Sequence, residues 1–350
     1  MKYKKRILTI DKFINEALYN KKFGYYMNKN PFGKKGDFIT APNISRLFSE
    51  MIAVWIISFW EKLNFPKKIN IIELGAGNGE MIYQMALSFK NFPQFNKACN
   101  FLIFEKSPFL KKIQKQKLKD LNIKWINSLK TNFKGPKIFL ANEFFDSLPI
   151  KQFLKKNGEW FEYYIDLSNK NSPRFKKIKS DINKIEKKIG IKISKNQKFI
   201  EYSPLCFSYL KKISKHIKKE NGGLLILDYG YLENKMRNTL QAIKKHRQIN
   251  IFSNFAEADI TYNININLIK KIINKFKLKS QGITTQRDFL IKLGIKERAE
   301  IISKNLPFSK KSDIYFRLKR LIDKNEMGEL FKVMLITNKK INFKIGFQAD

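Results

Sequence analysis

The 350-residue chain is 43% apolar and 14% aromatic, with 31 Phe, which excludes a disordered chain or a peptide-sized module and leaves room for one large domain or a domain with an insertion. Its formal net charge is +40, yet only 9 of its 70 basic residues are Arg, and the lysines run along the whole length among frequent Ile and Asn. That pattern matches an A/T-rich coding composition better than a basic footprint gathered on one face, so salt-sensitive contacts are expected but no specific nucleic-acid partner.

In chain order, the opening "MKYKKRILTI" is basic but leads into a charged amphipathic segment and not an apolar signal core, and the longest apolar run, Met51 to Trp60, is too short to span a bilayer. A soluble cytoplasmic protein with no membrane span is therefore expected. A helix is predicted around Asp11 to Asn20, an ordered loop over Gly24 to Pro42, and a long helix from about Ile44 to Lys62; residues 1–66 read as an N-terminal helical cover. The runs "INIIEL", "NFLIFE", "KIFLANE" and "GGLLILDYG" are short and unalternating, as strands buried on both faces are. Helix-period stretches lie between the first of them: Gly79 to Phe89, and "SPFLKKIQKQKLKDL", where Ser107 caps and Pro108 takes the first helical position.

This alternation predicts an α/β fold with a doubly wound, mostly parallel sheet. The core occupies residues 67–150 and 200–340. A Lys-rich insertion over 151–199 interrupts it after the fourth strand, and its charge reads as a solvated face. Cys99, Cys206, His216 and His246 are the only cysteines and histidines. They form no cluster with metal-ligand spacing, so no metal is expected.

In such a sheet, ligands sit beyond the carboxyl ends of the strands. There the sequence places Glu73, Gly75, Gly77 and Gly79, in E-x-G-x-G-x-G and not the dinucleotide spacing G-x-G-x-x-G. Glu80 at the start of the following helix would also repel a pyrophosphate. The motif looks like the first motif of class I S-adenosylmethionine-dependent methyltransferases. That cofactor carries a sulfonium, a zwitterionic amino-acid end and a neutral ribose, so it favours a carboxylate where a dinucleotide wants bare amides. Glu105, ending the second strand, is placed to take both ribose hydroxyls. The fourth strand ends in "ANEFFDSLP". Asn142 is expected to bind the cofactor, and Glu143 and Asp146 to offer carboxylates to the incoming nucleophile. The loop has no Pro-Pro and neither cysteine follows a proline, which argues against the common base-methylating chemistries.

The segments "GYY" at Gly24, "PFGKKGDFITAPNISRLFSE", "ELGAGNGEM", "FEKSPFL", "ANEFFDSLPI", "GGLLILDYGY", "ADIT" and "TTQRDFLIKLGIKER" together resemble the MidA family over nearly the whole chain. Its mitochondrial member is a respiratory complex I assembly factor and protein arginine methyltransferase. The resemblance implies a seven-stranded methyltransferase sheet, S-adenosylmethionine as cofactor, and symmetric dimethylation of an arginine on a hydrophilic-arm subunit of complex I. It assigns Glu73, Gly75, Gly77, Gly79 and Glu105 to the cofactor, Gly36, Asp37, Phe38 and Thr40 to a lid, and Glu143 and Asp146 to the guanidinium. The expected partner is a protein substrate, with a homodimer left open. Three positions depart from the family: Asn43 stands where Glu is usual, Asn263 where His is, and Asn265 where Asp is. A non-catalytic assembly chaperone on the same fold and an RNA or small-molecule methyltransferase stay open as alternatives.

Overall fold

The computed structural model describes residues 7–33, 36–37, 39–130, 132–169 and 172–347. Its strands, in chain order, are β1 (Ile7–Thr9), β2 (Ile69–Leu74), β3 (Cys99–Phe104), β4 (Ile123–Ile126), β5 (Lys137–Asn142), β6 (Lys151–Lys156), β7 (Glu159–Asp166), β8 (Arg174–Lys179), β9 (Phe199–Tyr202), β10 (Gly222–Tyr231), β11 (Gln241–Lys244), β12 (Arg247–Ile249), β13 (Asp259–Thr261), β14 (Ile264–Asn265), β15 (Leu278–Thr285) and β16 (Phe331–Asn338).

The central sheet runs β15-β16-β10-β5-β2-β3-β4, with the two-residue β14 alongside β10. It thus has eight strands where seven were expected, the additional one being β14. Strands β4, β3, β2, β5 and β10 are parallel, and β16 runs antiparallel between β10 and β15. All six residues of β2 and of β5 are buried, which explains their unbroken apolar runs. Lys137 fits there because its Nζ reaches the carbonyls of Phe133 and Gly135 and pairs with Glu220 at 3.1 Å.

Alternate residues of each strand feed two cores on opposite faces of the sheet. Ile72, Leu102, Phe139 and Ile226 pack with Tyr209, Leu210 and Ile213 of helix Pro204–Glu220. Ile71, Ile103, Leu140 and Leu227 pack with Trp55, Ile56 and Phe59 of helix Arg46–Lys62. That helix begins two residues later than the sequence suggests, because Ser45 is extended and its hydroxyl accepts from the Leu47 N–H, capping it. Ser107 caps helix Pro108–Lys117 as predicted, accepting from the Leu110 N–H at 3.1 Å.

The Lys-rich segment forms β6, β7, β8 and helix Ile182–Ile189. Its strands join β1 and β9 in a five-stranded antiparallel sheet, so a strand of the N-terminal segment pairs with it across β1 and β7. β9 crosses the expected boundary at residue 199, because its pairing with β6 extends to Tyr202. Every residue of β8, Arg174 to Lys179, is exposed. A third sheet, β12-β11-β13, lies over the carboxyl ends of the central strands together with the N-terminal segment. No helix among the described residues is long and apolar enough to cross a membrane.

Candidate functional site

The turn after β2 is built from left-handed residues: Gly75, Gly77 and Gly79 have φ of 68°, 52° and 81°. A Cβ on Gly75 would lie 3.0 Å from the Phe144 ring and one on Gly77 3.3 Å from the Phe32 ring, so both the backbone conformation and the space require glycine. Gly79 opens helix Glu80–Phe89 and packs on Leu118. Glu80 turns away from the loop to pair with Lys117 and accept from Gln84.

Glu73 and Glu105 end adjacent strands and repel each other. Burial, then the Glu105 charge, pushes the Glu73 carboxyl up to about 8. Glu105 is also raised by burial, which outweighs hydrogen bonds from the Ser107 N–H, the Gln114 amide and the Lys106 N–H. Gln114, fully buried, ties these parts together: its amide donates to the Gly77 carbonyl at 2.9 Å and to Glu105 Oε2 at 3.1 Å, and it accepts from Trp125 Nε1. No sequence signal marked it, because a glutamine facing inward on a helix reads as surface polarity in a pattern.

Beyond the glycine turn lies a cavity of about 350 Å³. Of the predicted site residues, Gly75, Gly77, Glu105, Glu143 and Asp146 line it, while Glu73, Gly79 and Asn142 are set back behind the loop. Glu143 has φ of +49°, and its backbone N–H donates to the Leu227 carbonyl at 3.0 Å, which turns the loop sharply off β5. The loop is then held from below by Asp228, which the sequence reading passed over: its Oδ2 accepts from the N–H groups of Phe145 at 2.9 Å and Asp146 at 3.3 Å. Burial raises Asp228 despite these donors. Burial, then Asp228, pushes Glu143 up to about 8, against an N–H donated by Ala41 of the cover. Burial, then Asp228, Glu143 and Asp259, holds Asp146 well above the usual carboxylate range.

Asp259, Tyr19, Tyr26, Tyr229 and Ser147 complete the wall. Glu105, Glu143, Asp146 and Asp259 thus bring four carboxyls to one cavity, with Asp228 braced behind the loop, in a chain that has 30 acids against 70 bases, and none of the five forms an ion pair with Lys or Arg among the described residues.

The expected lid residues behave differently. Gly36 makes a tight turn, since a Cβ there would sit 2.0 Å from the Pro31 carbonyl oxygen. Asp37 is a clasp and does not line the cavity: it accepts from Tyr25 Oη at 2.8 Å, Lys29 Nζ at 3.1 Å and the Lys245 N–H at 3.1 Å, fastening the N-terminal segment to the β11–β12 hairpin. Thr40 Oγ1 accepts from Asn43, whose Oδ1 in turn accepts from Asn78 in the glycine turn at 2.7 Å. Asn43, the departure from the family's Glu, thus links cover and cofactor loop. Phe38 lies outside the described residues. The aromatic that reaches the turn is Phe32, over Gly77 and stacked on Tyr26. Asn263 is set back from the cavity, where its backbone meets Thr239, and Asn265 caps helix Ile266–Lys275.

Burial works to raise Asp37, but its hydrogen bonds from Tyr25, the Lys245 N–H and Lys29 prevail and hold it below the usual range. Asp37→Ala is expected to destabilise the cover by about 1–3 kcal/mol at neutral pH, with the donors left unpaired. Because the folded value is depressed, this stabilisation is present above the ordinary carboxylate range and is lost as pH falls through the folded value. Melting curves of both proteins from pH 2 to 8 check this: a gap that does not narrow toward pH 2 contradicts it.

Two buried oxygens behind the turn have no protein partner, Glu73 Oε2 and Asn142 Oδ1, and a third, Asp146 Oδ1, belongs to the loop after β5 on the cavity wall. Orphaned acceptors behind a glycine cradle, with Glu105 at its mouth, fit a ligand that brings an ammonium and a ribose diol. With that topology they define a class I S-adenosylmethionine-dependent methyltransferase, with S-adenosylmethionine as cofactor. Residues 51–284 match the family model described as "Putative S-adenosyl-L-methionine-dependent methyltransferase". The chain belongs to this family, the MidA-type methyltransferases.

Among its relatives is the mitochondrial protein arginine methyltransferase NDUFAF7 of Xenopus laevis, 26% identical over 350 residues and covering 93% of this chain and 80% of that one. The Homo sapiens protein of the same name is 25% identical, covering 93% and 78%. A crystal structure from Burkholderia thailandensis bound to S-adenosyl-homocysteine shares the fold at TM-score 0.79 and 19% identity, covering 98% of this chain and 89% of that one. The cytoplasmic location expected from the sequence is corrected, since these relatives are named as mitochondrial proteins. The missing apolar signal core and the short apolar run that suggested it carry no address by themselves.

Proposed function

We propose that the chain methylates the guanidinium of an arginine in a protein substrate. The observation that carries this reading is the group of buried acids Glu143, Asp146 and Asp259 lining the cavity next to the cofactor turn, backed by Asp228 beneath the loop, with one Asp146 oxygen unpartnered. Acids crowded and buried in this way ionise readily only beside a cation, and guanidinium, with five N–H donors and a charge that persists at neutral pH, matches several carboxylates at once. The names of the relatives point the same way. As the family resemblance implies, the client would be a hydrophilic-arm subunit of complex I, modified by symmetric dimethylation, with a homodimer as one form of the enzyme.

In this reading Glu73, Asn142 and the glycine turn hold the amino-acid end of S-adenosylmethionine, and Glu105 holds its ribose. The bound cofactor supplies an electrophilic methyl on a cationic sulfur. The chain's own part is alignment and proton handling. Asp146 and Glu143 orient the guanidinium so that one nitrogen faces the methyl, and fixing that geometry can contribute about 7–11 kcal/mol. As the new N–C bond forms and the methyl's bond to sulfur breaks, with its electron pair left on sulfur as a neutral thioether, that nitrogen gives up a proton. With no cation beside it Glu143, pushed up to about 8, is mostly protonated at neutral pH; a guanidinium bound against it favours the carboxylate form, and that carboxylate accepts the proton.

The test is incubation with S-adenosylmethionine and arginine-containing peptides of a complex I hydrophilic-arm subunit, read by mass spectrometry. Methylated arginine is the expected product. Cofactor binding without any methylated peptide would instead favour the chaperone reading, and methylated RNA or small molecules the other.

A further inference from the structure

The acids of the cavity come from two parts of the fold. Asp146 and Glu143 belong to the loop after β5 in the central sheet. Asp259 begins β13, in the three-stranded sheet of the cover. It is 5% exposed and lines the cavity. The two parts are stitched backbone to backbone, the Tyr262 N–H donating to the Asp146 carbonyl at 3.1 Å. The Asp259 carboxylate accepts from the Ile260 N–H of its own strand and, at Oδ1, from Tyr26 Oη at 2.7 Å, from the other half of the cover. Asp146 Oδ1, 4% exposed for the residue as a whole, has no partner. An unpartnered carboxylate oxygen and a carboxylate whose only side-chain donor is a neutral phenol thus share one cavity.

We propose that the substrate cation site is split between core and cover: Asp146 binds the cation from the core side, Asp259 binds it from the cover side, and the Tyr26 hydroxyl keeps the Asp259 position until the substrate's N–H groups take it. This deepens the arginine reading and rests on it for the identity of the cation. A planar guanidinium has donors along two edges and can serve acids on two walls, whereas an ammonium is a point charge on a single stem. The site therefore selects arginine over lysine by geometry as well as by charge. It is complete only with the cover in place, which assigns the Asp37 clasp a purpose: it fixes the cover at the distance the second acid requires.

The test uses the full chain saturated with S-adenosylhomocysteine and titrated with Nα-acetyl-arginine methylamide and Nα-acetyl-lysine methylamide in a calorimeter. Wild type is expected to bind the arginine probe more tightly than the lysine probe. Asp259→Asn, which keeps the acceptor for Tyr26, is expected to weaken the arginine probe about 10- to 100-fold, with the affinity for S-adenosylhomocysteine and the melting temperature unchanged. Asp259→Glu should recover part of the loss. An unchanged affinity in D259N, or a loss that falls equally on S-adenosylhomocysteine and on melting temperature, overturns the assignment of Asp259. A wild-type chain that binds the lysine probe alone removes the arginine reading, and D259N with that probe then decides the split site by itself: lost affinity upholds it and unchanged affinity overturns it. Binding of neither probe overturns the split site.

Discussion

Glu143→Gln is expected to lower kcat about 10²- to 10³-fold while S-adenosylmethionine affinity stays near that of the parent, the size seen when one group matched to developing charge is lost. The substitution is close to isosteric. A glutamine oxygen can still accept from the Ala41 N–H and from Asn142, which donates to Glu143 Oε1 at 3.4 Å, so the loop has no reason to move. What disappears is the carboxylate that a bound guanidinium would stabilise and, with it, the acceptor for the guanidinium proton. A second effect runs in the opposite direction. Since burial and Asp228 push Glu143 from its ordinary 4.5 up to about 8, the folded chain holds a proton there that the unfolded chain releases. Stability contributed by this group is fully present below pH 4.5 and falls as pH rises toward 8. The variant lacks this loss. It should be the more stable protein at pH 8 to 9, by on the order of 3 kcal/mol, and the two should converge near pH 5. Steady-state kinetics with an arginine peptide and melting curves across that range measure both. Parental turnover, or a variant less stable than the parent at high pH, would remove Glu143 from the centre of the mechanism.

That pairing of a strained acid with a deep cavity also marks the limit of what the sequence shows. The glycine turn was legible because three left-handed residues leave a local signature, and Glu73 and Glu105 because each closes an unbroken apolar run. Asp228 and Asp259 sit in the quoted runs "GGLLILDYGY" and "ADIT", yet nothing local says that one braces a loop across the sheet and the other faces the cavity. Asp37 misled for the same reason: its partner, the Lys245 N–H, is 208 residues away. β4 escaped notice because it is a short edge strand with only Ile123 buried, and so lacks the apolar run that betrayed its neighbours. The pairing of β1 with β7 and of β6 with β9 is likewise invisible to periodicity, which reports which face is apolar but not which strand will cover it. Every residue of β8 is exposed, as a solvated face requires.

Glu105→Ala is expected to weaken S-adenosylmethionine binding about 100-fold or more, with little change in fold. Its Oε1 already accepts the N–H groups of Lys106 at 2.8 Å and Ser107 at 2.9 Å, and its Oε2 accepts Gln114 at 3.1 Å. These donors orient the carboxylate and fill about three of its four lone-pair sites, leaving one on Oε2 for a ribose hydroxyl, a charge-assisted bond of about 1.5–3 kcal/mol. Alanine removes that acceptor and faces the diol with the unpaired Lys106 and Ser107 N–H groups. Glu105→Gln should be milder, because one oxygen survives, but its amide nitrogen meets donors wherever it turns. The order parent, E105Q, E105A in calorimetric affinity is thus a stronger test than either variant alone. Gln114→Leu separates orientation from binding: it leaves both carboxylate oxygens but frees Glu105 and the Gly77 carbonyl from their shared tether, so it should cost about tenfold in affinity. If E105A binds S-adenosylmethionine as tightly as the parent, the ribose lies elsewhere and the placement of the cofactor along β2 and β3 fails with it.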